Sequence, residues 1–287
     1  MIGGWPRRGA ALGALLGLVA AAPAAARDVL DDVNVFAGTA PGAPDFGTGG
    51  GAGNTFPGAD RPFGAVQWSP DTVPSTGNTG GGYTYGDRRL RGFSLTHLSG
   101  PGCAVFGDVP FLPVTSVPAS VPAGATVGFR HAGEHAMPGT YAVRLDSRVR
   151  VQLAAAVHGG VGRLTFPAAG RPGVVVDPGG AATAPSSISV RIDPAHHELT
   201  GTVGNGGFCY MGNAYRLRFV ARFSRPFART ATWQGDVLRA GARTASARVP
   251  TGFPPVRARA GAYVGFAART VDVRVGLSYV SVAGARR

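Results

Sequence analysis

Apolar and polar residues alternate with a period of two through much of the chain. The stretches "TYAVRLDSRVRVQLAAAV" (140–157), "PGVVVDPG" (172–179), "SSISVRID" (186–193), "AYRLRFVARFS" (214–224) and "TVDVRVGLSYVSV" (270–282) all carry it. Each is bounded by Gly, Pro, Asn or Asp, so each predicts a strand. Tyr215, Leu217 and Phe219 alternate with Arg216 and Arg218, which predicts one buried and one wet face. Helical periodicity is scarce, because 46 glycines and 23 prolines interrupt almost every window of the 287 residues. Many short strands separated by turn signals predict an all-β, antiparallel β-sandwich.

Between Val33 and Gly102 the pattern changes to long Gly/Pro-rich loops, in which Phe56, Trp68, Tyr83 and Tyr85 are embedded. Compact domains keep loops of that length mainly where they carry function. Within this region "GFSLTHLSGPGC" (92–103) begins as a strand and breaks into a rigid turn presenting His97 and Ser99. Aromatics beside Asp71, Asp87 and His97 suit a sugar, whose apolar ring face stacks on an aromatic while its hydroxyls meet polar groups.

Residues 1–26 read as a secretory signal peptide: Arg7 and Arg8, an apolar run, then Ala24-Ala25-Ala26. The expectation is one mature domain over 27–287, secreted, with no membrane association after cleavage. The net charge of +13 would fit a polyanion, but all the basic residues are Arg and they are scattered along strands, which argues against nucleic acid. Cys103 and Cys209 are the two cysteines of the chain. In an exported protein they are either one disulfide or two buried thiols, and their spacing excludes a zinc site built on closely paired ligands.

Several chemistries fall away. "GTGGGAG" (47–53) contains a dinucleotide-like glycine pattern, but "NTFPG" follows it where a helix is needed. A phosphate-binding P-loop needs a Lys, which the chain lacks. Ser99 has no glycine two positions before it, so the nucleophile elbow is missing. His196 and His197 are adjacent in a turn and point apart. A glycosidase needs a carboxyl pair flanking the scissile bond, but no spacing among Glu134, Glu198 and the 13 aspartates singles one out; Asp71, Asp87 and Asp108 each border a turn that they could cap.

The succession "VNVFAGT", "GNTFPGADRPFGAVQWSPDT", "GGYTYGDRRLRGFSLTHLSGPGC", "GDVPFLP" and "VRVGLSYVSVAGA" resembles the N-terminal domain of glycoside hydrolase family 92, from Val33 to about Ala285. These are calcium-dependent, inverting exo-α-mannosidases acting on N-glycans and mannans. The resemblance implies a supersandwich of the galactose-mutarotase kind over 27–287, forming one wall of a mannose pocket. It places Phe56, Asp71, Tyr83, Tyr85, Asp87, Thr96, His97 and Ser99 near the sugar, with Cys103 pinned to Cys209. Tyr83 and Tyr85 stand where some relatives carry a tryptophan.

It also implies a larger helical barrel beyond "AGARR" that carries the catalytic acid, the base and most calcium ligands. No catalytic residue and no metal ligand is therefore assigned to this chain. It is expected to be a fragment or truncated product, inactive alone. The second reading is a stand-alone carbohydrate-binding sandwich without catalysis.

Overall fold

A computed structural model describes residues 28–40, 54–73, 80–100, 102–252 and 254–287, with Met1, Gly3 and Gly4. The signal-peptide reading and the 47–53 glycine run lie outside these residues. Sixteen strands are present among the described residues: β1 (Ser69–Thr72), β2 (Arg89–Ser94), β3 (Phe111–Val114), β4 (Val127–Met137), β5 (Thr140–Leu145), β6 (Arg150–Ala155), β7 (Gly159–Thr165) and β8 (Gly173–Val176) come first. They are followed by β9 (Ser187–Asp193), β10 (Glu198–Gly206), β11 (Ala214–Phe223), β12 (Arg229–Gln234), β13 (Val237–Ala240), β14 (Thr244–Arg248), β15 (Ala260–Gly265) and β16 (Thr270–Ser278). One short helix, α1 (Val282–Arg286), follows β16.

All the pairings are antiparallel. One sheet runs β13-β12-β15-β8-β3-β2, with β1 on β2, and the other runs β5-β6-β7-β16-β11-β10-β9-β14. Strand β4 belongs to both, pairing with β2 through Val127 and Gly128 and with β5 through Phe129 and Glu134–Met137. It turns the corner through an irregular register between Phe129 and Glu134, and such irregularities let a strand bend.

The predicted strands are all present. The 140–157 stretch divides into β5 and β6 at a turn where Arg148 takes φ 65°. The 270–282 stretch ends earlier, because Ser281 accepts from Gly284 N at 2.9 Å and caps α1. Glu198 opens β10 directly after the His196-His197 turn. It is 3% exposed, and Arg286 of α1 donates to it at 2.6 and 3.1 Å.

The core lies between the sheets. Leu217 and Phe219 of β11 are fully buried while Arg216 points outward, as the alternation requires. Trp68, just before β1, spans the gap. Its indole donates to the Phe93 carbonyl at 3.1 Å, and a Cβ added at Gly162 of β7 would stand 2.8 Å from the Trp68 ring. Only glycine lets that ring lie on β7, so the sequence pairs a large residue on one sheet with none on the other. Removing a buried aromatic such as Phe219 would cost about 3–5 kcal/mol.

Candidate functional site

Strand β1 is "SPDT", and all four residues are buried. Its pairing with β2 brings Asp71 opposite Gly92 and Thr72 opposite Leu90. Thr72 organises the following loop: its hydroxyl donates to Asp87 Oδ2 at 2.6 Å and accepts from Thr84 N at 2.9 Å. Thr72 N donates to Gly82 O at 2.8 Å. The "GYTYGD" loop is therefore tied to β1 by main chain and side chain together.

Beside it stands His97. Its Nδ1 lies 2.8 Å from the Gln67 carbonyl, which can only accept, so Nδ1 carries hydrogen. That turns Nε2 toward Asp71 Oδ1 and Ser94 Oγ, both at 3.2 Å. In the neutral ring Nε2 accepts from Ser94; in the imidazolium it donates to Asp71. The Phe56 ring lies over the imidazole at a centroid distance of 5.0 Å. Asp60 is near enough for the His97 charge to oppose the upward push that burial gives its carboxyl.

Thr96 faces a second carboxylate. Asp108 accepts from Thr96 Oγ1 at 3.0 Å, from Asn205 Nδ2 at 2.7 Å and from the Tyr215 hydroxyl at 2.7 Å, with no exposure to solvent. Burial raises its pKa and the three donors oppose that rise. The backbone around it is unusual: Phe106, Gly107 and Val109 all have φ between 57° and 66°. Left-handed non-glycine residues cost energy and gather at functional loops. The Cys103–Cys209 disulfide, with Cα atoms 5.3 Å apart, ties this loop to the turn between β10 and β11.

The predicted site residues thus divide. Asp71, Asp87, Thr96 and His97 form an internal polar belt, each bonded within the protein. Tyr83, expected from the resemblance near the sugar, lies inside the described domain. It has no exposure, packs between Phe36 and Phe129, and donates to Glu134, so no ring face remains for a ligand. Tyr85, Ser99 and half-buried Phe56 do reach the surface. Tyr85 is 40% exposed and lies flat on His131, with centroids 4.0 Å apart and planes within 9°.

Sequence reasoning missed the groups that hold these residues from behind. Glu134 gathers Tyr83, Tyr141 and His131 around one carboxylate, and burial beside that charge raises both tyrosines well above the usual phenol value. Its only signal was rarity, as one of two glutamates. Asn205 and Tyr215 lie 97 and 107 residues from Asp108, and no local pattern links them.

Among the described residues no group of three or more His, Cys, Asp or Glu could hold a metal ion. Asp71 Oδ2 is buried without a hydrogen-bond partner among them, next to Gly82 and Gly107, whose added Cβ atoms would stand 2.9 and 3.5 Å from its Oδ1. Calcium takes about six to eight oxygens. One free carboxylate oxygen in a two-glycine cradle does not supply them, so the described residues do not fit a resident calcium ion.

The family model described as the glycosyl hydrolase family 92 N-terminal domain matches residues 33–278. No curated protein matches the chain. Among solved structures, the GH92 α-mannosidase BT3965 from Bacteroides thetaiotaomicron is 28% identical with a TM-score of 0.74, covering 91% of this chain and 34% of its own. The same enzyme in complex with mannoimidazole gives 27% identity, a TM-score of 0.74 and the same coverages. The GH92 glycosyl hydrolase ccman5 is 30% identical with a TM-score of 0.75, covering 90% of this chain and 34% of its own. The chain spans about a third of the length of these relatives. With a family model over most of its length and the sandwich those enzymes share, the chain belongs to glycoside hydrolase family 92, as its N-terminal domain.

Proposed function

We propose that this chain is one wall of a mannoside pocket in a longer, secreted, inverting α-mannosidase, and that it is inactive without the helical domain. The carrying observation is the family match over 33–278 within relatives roughly three times as long. One of those relatives is solved with mannoimidazole, which supports a mannose-type ligand in N-glycans or mannans.

The wall is the loop surface bearing Phe56, Tyr85 and Ser99. The belt beneath it holds that surface at fixed positions: Asp71 and His97 under Phe56, Thr72 and Asp87 under the Tyr85 loop. Tyr85 presents a ring to a sugar face, stiffened by His131 behind it, and the Ser99 hydroxyl offers a donor and an acceptor. Inversion needs a protonated acid on one side of the sugar and a base-held water on the other. Asp108 and Asp71 supply neither, being enclosed in this domain, so both groups belong to the helical part.

Calcium, held there, would supply oxygen coordination to sugar hydroxyls; this chain's own contribution is to bind and orient. The test is mannose release from an α-mannoside by residues 27–287 alone and by the longer protein, with and without a calcium chelator. Release by the short chain would overturn the proposal.

A further inference from the structure

The outer side of the first sheet holds a cavity of about 350 Å³, well away in character from the aromatic loop surface. Leu112 of β3 and Val175 of β8, a cross-strand pair, form its apolar wall, and residues 122–125 line it as well. Three guanidinium groups line it, those of Arg91, Arg257 and Arg259, against a single carboxylate, Asp177.

Arg91 is there because of a fault in strand pairing. Asp71 opposes Gly92 and Thr72 opposes Leu90, so Arg91 has no partner residue on β1, and Gly92 takes φ 157°. Leu90 and Phe93 both remain in the core, and the extra residue turns outward. Bulges commonly re-aim a side chain in this way.

Among the described residues the charges within the cavity are unevenly balanced. Arg91 Nε is buried with no hydrogen-bond partner among the described residues. Arg257 donates through Nη1 to the carbonyls of Gly179, Ala181 and Thr183 at 2.6–2.8 Å. Burial, and then the Arg91 charge, hold its pKa below the usual arginine value. Arg259 is paired at the rim with Asp236 at 2.6 Å. Asp177 is engaged by the backbone N–H groups of Gly124 and Gly179. Two neighbouring cations and an orphaned buried donor are costly to keep, and an oxyanion would relieve both.

We propose that this cavity binds a compact oxyanion, a phosphate or carboxylate carried on a small body that fits the apolar wall. The planar donor forks of arginine match both groups. The site is independent of the mannoside wall, since none of its lining residues belongs to that surface.

The test is calorimetric titration of the full chain with inorganic phosphate, and separately with acetate, at constant ionic strength set by sodium chloride. Saturable phosphate binding that Arg91→Gln weakens about tenfold or more, and Arg163→Gln leaves unchanged, is the expected result. Acetate preference assigns the site to carboxylates, phosphate preference assigns it to phosphoryl groups, and equal strength makes it a general oxyanion site. Arg91 Nε has no hydrogen-bond partner among the described residues, so Arg91→Gln should fold, with an unchanged or higher melting temperature in anion-free buffer. Equal binding by wild type and Arg91→Gln, no saturable binding of either anion, or a lower melting temperature for Arg91→Gln would overturn the proposal.

Discussion

His97 Nε2 stands 3.2 Å from Asp71 Oδ1, and the two side chains are only 2% and 4% exposed. Asp71 Oδ2 has no hydrogen-bond partner among the described residues, so the imidazole at Oδ1 is the contact in question. The carboxylate therefore depends on the imidazole. His97→Ala should cost about 1–3 kcal/mol, as expected for leaving a buried polar group without its partner. The double variant Asp71→Asn/His97→Ala should cost less than the sum of the singles. Urea denaturation of the four proteins checks this, and strict additivity would show that the pair does not interact.

Tyr85 separates support from recognition. Its ring is exposed on one side and stacked on His131 on the other. Tyr85→Ala should lower stability by about 1 kcal/mol, the scale of a single aromatic pair. In the longer enzyme it should cut kcat/KM for an α-mannoside about tenfold, which is about 1.4 kcal/mol of lost binding. A full-activity variant would remove Tyr85 from the sugar wall.

The disulfide closes a long loop, because Cys103 and Cys209 are 106 residues apart. In the chain-entropy picture a loop of about 100 residues corresponds to roughly 4–5 kcal/mol. Cys103→Ser/Cys209→Ser should lower the denaturation midpoint accordingly without changing the sheet signal in circular dichroism. An unchanged midpoint would mean that the neighbouring hydrogen bonds already hold the loop.

Asp177 gives a pH signature. Burial, opposed by the Gly124 and Gly179 amides and by Arg257 and Arg259, raises its pKa from 3.8 to about 6. A carboxyl raised on folding binds more protons when folded, so its penalty is absent below about pH 3.8 and complete above about pH 6. The ceiling is about 3 kcal/mol, and less in practice because the group keeps some contact with water. Asp177→Asn should therefore gain stability relative to wild type as pH rises from 4 to 7. Denaturation at several pH values reads the difference, and a flat difference would contradict the assignment.

The alternation around Leu217 and Phe219 made the sheet legible, because each strand buries one face and the sequence must show it. The end of β16 was not legible: "SYVSV" continues the alternation, yet the Ser281 cap starts a helix there. Family motifs drew attention to the 82–99 region, but did not say which of its residues face outward. Tyr83 and Tyr85 are two apart in an irregular loop, where period two no longer sorts the faces; one is sealed over Glu134 and the other is open. Asp108 looked like any turn aspartate, since its partners come from β10 and β11.

Mannose release from an α-mannoside by the natural product, sized by intact mass and compared with residues 27–287 alone, separates one wall of a longer enzyme from a free-standing domain. Activity is expected in a species well above 29.1 kDa and none in the short chain. Mannose release by the short chain, or an inactive natural product no larger than it, would overturn the proposal.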